Sequence, residues 1–181
     1  MKKLRLSFSL LLLWGQGKTD EAVAMYLHKD LFTSPAFEEG KMWHKKWERE
    51  INATKKLTIG KETFTFKDPK PEVKIVIPYN ERWDLVGMMD CVDTDRFYEF
   101  KTGTTGAWSY LQSHQIPLYF LLLEKAGTPK DSAMLIHYNQ KEDFVESIPV
   151  WRSEEEIEEA KNWIDSTAPE VENFFTEKNI I

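Results

Sequence analysis

Gly87-Met-Met-Asp90-Cys-Val-Asp-Thr-Asp-Arg-Phe-Tyr-Glu99-Phe-Lys101-Thr102-Gly103 is the stretch on which the fold turns. Successive side chains of a strand point to opposite faces, so Glu99 and Lys101 share one face and Phe100 takes the other. A turn around Thr94 and Asp95 with a loop of even length sets residues whose numbers share one total opposite each other. Asp90 then faces Glu99. Like charges placed directly across a ladder are destabilising, so a chain that keeps two carboxylates there points to a cation between them.

Working outward, the elements alternate. Upstream, residues 7–29 read as a broken helix. Residues 35–54 read as a second helix, with Trp43, Trp47 and Ile51 at four-residue spacing as its apolar stripe. A short hairpin of 57–60 with 63–66 precedes strands at 72–78, 83–90 and 96–101. Downstream, a helix at 108–125 contains Pro117, which predicts a kink just after Gln115. Strands at 133–138 and 144–149 follow, then helices at 153–166 and 169–178. Ser153 and Glu156 have the spacing of a capping box. There is no internal repeat and no low-complexity linker. With 181 residues, 41% of them hydrophobic and 13% aromatic, the chain reads as a single domain, 1–181, with one sizeable core.

Within this frame four further pieces stand in order. Gly40-Lys-Met-Trp-His44 precedes the hairpin, Gly87-Met-Met-Asp90 and Glu99-Phe-Lys101-Thr102-Gly103 form it, and Gln115-Ile-Pro-Leu-Tyr119 follows. This set resembles the PD-(D/E)XK nuclease superfamily, and within it the RecB-like and Cas4-like branch, whose motifs read Gly-x-x-x-His, Gly-x-x-Asp, (Asp/Glu)-x-Lys-Thr-Gly and Gln-x-x-x-Tyr. Ser7-Phe-Ser9-Leu10 resembles the Ser-x-Ser opening of many members. The matching pieces span roughly residues 38 to 125. The proline that names the superfamily is missing before Asp90, a departure this branch tolerates. Cys91 is the only cysteine, so the four-cysteine iron-sulfur cluster of many Cas4-like and AddB-like relatives has no ligands here.

The resemblance implies an α/β fold of restriction-endonuclease type, with an α-β-β-β-α-β core and a mixed central sheet flanked by helices. It implies a hydrolase for phosphodiester bonds, most readily of DNA that is single-stranded or has free ends, acting by direct attack of an activated water. It also brings the associations of DNA repair, with a helicase, recombination or CRISPR partner among which the sequence does not choose. Asp90 and Glu99 are then the catalytic carboxylates and, with the Phe100 carbonyl and His44, the ligands of Mg²⁺ or Mn²⁺. Oxygen donors favour Mg²⁺, and an imidazole tilts the site toward Mn²⁺. Lys101 stabilises negative charge near the scissile phosphate. Gln115 and Tyr119, one helical turn apart, position the strand.

Each residue also has a plainer reading. Asp90 could close a strand, Lys101 could pair with Glu99 at the surface, where such pairs are worth little, and His44 could be a packed helical residue. Gln115 and Tyr119 could be a polar edge beside a core aromatic. Trp83, Trp108 and Trp151 read as core or groove walls rather than stacking platforms for bases, and His28, His114 and His137 receive no role. Two rival functions stay open: a nucleic-acid-binding module on the same fold without turnover, and an NTP-binding protein using Gly15-Gln-Gly17-Lys18-Thr19.

Charge and the N-terminus complete the reading. A net charge of -6 is unusual for a protein that holds phosphates, but Glu154, Glu155, Glu156, Glu158 and Glu159 concentrate it on one late helix. Lys2, Lys3, Arg5, Lys45, Lys46, Lys55 and Lys56 lie in the first third. Met1-Lys-Lys-Leu-Arg5 before Leu10-Leu-Leu-Leu13 imitates a signal peptide, with Ala22-Val-Ala24 as its cleavage site. Serines interrupt the apolar run, which is also too short to span a membrane at about 20 residues. The expected location is a reducing cytoplasm, with no membrane partner.

Overall fold

The computed structural model describes residues 3–27 and 35–181. Its elements run β1 (Leu4–Ser7), α1 (Phe8–Gly15), α2 (Thr19–Tyr26), α3 (Pro35–Thr54), β2 (Lys56–Ile59), β3 (Glu62–Thr65), β4 (Lys70–Pro78), β5 (Trp83–Val92) and β6 (Phe97–Thr102). They continue through α4 (Trp108–Leu111), α5 (Gln115–Lys125), β7 (Ser132–Asn139), β8 (Phe144–Trp151) and α6 (Glu154–Glu177). Six of the strands make one mixed sheet, and β2 and β3 form a separate hairpin. The mixed α/β layering and the central sheet are those the sequence leads one to expect.

Strand β5 is the hub. Along one edge it pairs antiparallel with β4, from Asp84 with Pro78 to Val92 with Lys70. The other edge is divided. Trp83 to Val86 pair in parallel with β1, whereas Cys91 and Val92 pair antiparallel with Tyr98 and Phe97 of β6. Gly87 to Asp90 lie between these two partners, so the sheet forks there. The β5–β6 register has the constant sum expected from the turn, whose Asp93 N–H donates to the Arg96 carbonyl at 2.8 Å. Beyond β6 the sheet continues through β7, parallel to β6, and the edge strand β8.

The two faces of the sheet carry separate cores. Phe97, Leu135 and Leu85 pack with α1, α5 and α6, while Tyr98, Phe100, Cys91 and Ile136 pack under α3 and the β2–β3 hairpin with Trp47 and Ile51. Helix α6 carries nine carboxylates against Lys161 alone, a net -8, which leaves the rest of the chain with +2 of the total -6. The acidity therefore sits on the side of the sheet opposite α3.

Several sequence expectations are corrected. Residues 4–7 form a strand that the sequence reading leaves out, and Ser7, where the broken helix is expected to begin, ends it and caps α1 by accepting from Leu10 N–H at 3.2 Å. Residues 28–29 of the expected broken helix lie outside the described residues. The 108–125 helix is two helices, and Pro117 is the third residue of α5, where an N–H has no intrahelical acceptor and proline costs the helix no hydrogen bond. Leu118 N–H makes the first such bond, to His114 at 3.0 Å. Helix α6 continues through Pro169, and the buried series Ile157, Ala160, Ile164, Ala168, Val171 and Phe175 continues past it. Gly15 to Thr19 joins two helices, so the strand that a phosphate-cradling loop requires is not in front of it. Trp83 is core, but Trp108 and Trp151 are exposed.

Candidate active site

The fork in the sheet gathers all seven residues singled out by the sequence, His44, Asp90, Glu99, Phe100, Lys101, Gln115 and Tyr119. Asp90 ends the segment of β5 that has no partner strand on the edge shared by β1 and β6. Its Oδ2 accepts from the backbone N–H of Phe100 at 2.7 Å, and its Oδ1 lies 3.0 Å from His44 Nδ1, which α3 delivers from one face of the sheet. Glu99 and Lys101 project from β6. Lys101 Nζ donates to Glu99 Oε1 at 2.7 Å and to Gln115 Oε1 at 3.0 Å. Gln115 Nε2 donates to Glu99 Oε1 at 2.8 Å and meets the Tyr119 hydroxyl at 2.9 Å, and that hydroxyl donates to the Met88 carbonyl at 2.7 Å. In the gap between β1 and β6, side chains thus make the bonds that a neighbouring strand would have made.

Two glycines allow this approach. A Cβ on Gly87 would stand 2.3 Å from Leu122 Cδ1 and 3.1 Å from Tyr119 Cε1, so only glycine lets α5 lie this close to β5. Gly103, with φ +135°, turns the chain away from β6 immediately after Lys101 and Thr102.

Burial makes the electrostatics strong. Glu99 is 3% exposed, and its Oε2 has no hydrogen-bond partner. Burial, then the charge of Asp90, pushes its carboxyl up to about 7 against the opposing pull of Lys101. Burial works against the charge on Lys101, yet Glu99 and Asp90 outweigh it and its pKa is raised. His44 behaves likewise: burial disfavours the imidazolium, and the hydrogen bond to Asp90 with its charge more than compensates, so its pKa is raised. Burial and Glu99 hold the Tyr119 hydroxyl protonated, well above the usual phenol range.

The donor set suits a hard divalent cation of few protein ligands. Among the described residues no three His, Cys, Asp or Glu side chains converge as a ready metal cage. What converges is two carboxylates, one with an orphaned buried oxygen that lacks only a positive partner, beside the Phe100 carbonyl. Mg²⁺ commonly binds through one or two carboxylates and keeps the rest of its shell as water. His44 already spends Nδ1 on Asp90, so its place in such a set is to hold that carboxylate or to offer Nε2. Two neighbours of Lys101, Tyr110 and His137, were not singled out by the sequence, nor was Glu146, which stands opposite His137. The places of His137 and Glu146 depend on the pairing of β6 with β7 and β8, which no local pattern announces.

No family model matches the chain, and no curated protein matches it in sequence. Solved structures share its fold. SSO0001 is similar at 12% identity and a TM-score of 0.61, over 93% of this chain and 77% of that one. The alkaline exonuclease LHK-Exo of Laribacter hongkongensis, also solved in complex with dAMP, is similar at 13% identity and a TM-score of 0.55, over 97% of this chain and 93% of that one. A phage-related exonuclease from Haemophilus somnus 129PT is similar at 10% identity and a TM-score of 0.56, over 98% of this chain and 97% of that one.

Proposed function

We propose that this chain, as one domain, is a metal-dependent nuclease that hydrolyses phosphodiester bonds of DNA, working from strand ends, and that it belongs with the RecB-like and Cas4-like PD-(D/E)XK nucleases. The observation that carries the reading is Glu99 Oε2, a buried carboxylate oxygen without a hydrogen-bond partner, held beside Asp90 and a buried ammonium at the fork. The exonuclease folds it resembles, one of them solved with dAMP, support the choice of DNA.

In this reading Asp90, Glu99, the Phe100 carbonyl and His44 Nε2 would hold Mg²⁺ or Mn²⁺, while His44 Nδ1 keeps Asp90 in place. The cation supplies charge neutralisation at the phosphate and a more acidic water. Lys101 sets a fixed positive charge where negative charge grows on the phosphate, in a site that cannot reorganise and so loses nothing to solvent relaxation. Gln115 bridges Lys101, Glu99 and Tyr119, and so keeps the ammonium and the carboxylate in one geometry.

The test is cleavage of end-labelled single-stranded, double-stranded and circular DNA in Mg²⁺, Mn²⁺ or EDTA. Cleavage should need the metal, favour substrates with ends and leave no covalent adduct on the protein. Persistent cleavage in EDTA would refute the mechanism. Tight DNA binding indifferent to Mg²⁺, without any cleavage, would reassign the chain as a binding module.

A further inference from the structure

A second polar layer lies behind Lys101, and the scheme above does not use it. In the parallel pairing of β6 with β7 Lys101 stands beside His137, and the next ladder sets His137 opposite Glu146. Paired residues share a face of the sheet, so the three side chains project together. His137 is 1% exposed, neither ring nitrogen has a hydrogen-bond partner, and its Nδ1 lies 3.5 Å from Glu146 Oε2. A buried imidazole so placed is costly, and each such group calls for a reason.

The reason lies above it. Helix α4 roofs this layer: the Tyr110 ring is 5.8 Å from the His137 ring and 5.4 Å from Lys101 Nζ, in cation–π range. Glu146 Oε2 accepts from the N–H of Ala107, the residue that opens α4, at 3.3 Å. With four residues, α4 is too short to hold its own shape or position. The segment before it, Gly103-Thr-Thr-Gly106, has no regular structure and a glycine at either end. Contacts with the sheet must therefore place α4, and Glu146 and His137 supply them at its start and middle.

We propose that α4 is a clasp over the site, fastened by His137 and Glu146, and that Tyr110 is a positioning residue whose ring keeps the Lys101 ammonium against Glu99 and Gln115. A lysine is a point charge on a flexible four-carbon stem. Two hydrogen bonds fix its tip on one side, and the aromatic face closes the other. The consequence for turnover rests on the nuclease reading; the clasp itself does not.

Two measurements on parent, Tyr110→Phe, Tyr110→Leu, His137→Ala and Glu146→Gln separate the claims. The first is reductive methylation of Lys101 in metal-free protein, followed by peptide mass spectrometry. Lys101 should be shielded in parent and Tyr110→Phe, and modified several-fold faster in Tyr110→Leu and His137→Ala, with Glu146→Gln between. The second is initial rates on DNA: kcat should fall about ten- to a hundredfold in Tyr110→Leu and His137→Ala with KM little changed, and recover in Tyr110→Phe. Should His137→Ala fail to fold, the two Tyr110 variants, at a half-buried position, carry the comparison. Equal shielding of Lys101 in Tyr110→Leu and parent would overturn the clasp, as would equal loss of shielding in Tyr110→Phe and Tyr110→Leu. A parent that shields Lys101 yet cleaves nothing would refute the nuclease reading and leave the clasp standing.

Discussion

The backbone N–H of Phe100 donates to Asp90 Oδ2 at 2.7 Å, and this side chain takes over where the β5–β6 ladder stops. Asparagine at position 90 keeps an acceptor for that N–H and removes the charge opposed to Glu99. Asp90→Asn should therefore melt at the parent temperature or above it in EDTA, by about 2 to 4 °C if roughly 1 kcal/mol of repulsion is relieved. Asp90→Ala leaves the N–H orphaned and should lose about 1 to 3 kcal/mol. Both should lose the rise in melting temperature that Mn²⁺ gives the parent by mass action. A parent blind to millimolar Mn²⁺, with Asp90→Asn clearly weakened in EDTA, would make Asp90 a structural group only.

Glu99 imposes a pH dependence on the metal-free protein. Its carboxyl is pushed up from 4.5 to about 7, by burial first and Asp90 second, so the folded state keeps a proton that the unfolded chain releases. Stability from this source is full below 4.5 and is lost as pH rises through about 7. The raised pKa of His44 acts in the same direction. Melting curves in EDTA across this window should slope downward for the parent and less steeply for Glu99→Gln. Parallel slopes would show that Glu99 is not the group responsible.

Lys101→Ala separates chemistry from binding. Turnover should fall by roughly two or more orders of magnitude, the scale of one preorganised electrostatic stabiliser, while the Mn²⁺-induced stabilisation persists. A change confined to apparent DNA affinity would make Lys101 a phosphate anchor instead.

Removing the imidazole of His44 should weaken activity with Mn²⁺ more than with Mg²⁺, because the softer ion gains more from nitrogen. Titrating each metal against initial rate in His44→Ala reads the difference. Equal losses with both ions would confine His44 to its hydrogen bond with Asp90.

Gly87→Ala places a methyl 2.3 Å from Leu122 Cδ1, a collision that must push α5 away from β5. Overpacking of this kind costs about 1 to 3 kcal/mol, and the same displacement carries Tyr119 and Gln115 from Glu99. Melting temperature and cleavage rate should fall together. An unchanged melting temperature would show that the helix has room to give.

What could be read in the chain was whatever local periodicity controls. The hairpin register followed from strand alternation and an even turn, and α3 from the spacing of Trp43, Trp47 and Ile51. Strand β1 escaped because its four residues run into the apolar α1, and its partner lies some eighty positions away. The gap between α4 and α5 contains no glycine or proline, so nothing local marks it, whereas Pro169 marks a break that burial of Ala168 and Val171 overrides. Asp90, Glu99, Lys101, Gln115 and Tyr119 were legible through motif spacing. His137 meets Lys101, and Glu146 meets His137, only after a parallel crossover, and His137 was accordingly passed over.

The fork in β5 has a further meaning for biosynthesis. The strands on either side of Gly87–Asp90 adjoin β6 through two residue pairs only, Cys91 with Tyr98 and Val92 with Phe97. Asp90 belongs to the half built from β1, β4 and β5, and Glu99, on β6, to the half completed by β7 and β8, which follow it in the chain. A nascent chain that has finished one half holds a solitary carboxylate. The paired anions come into being only when the two halves have closed on each other.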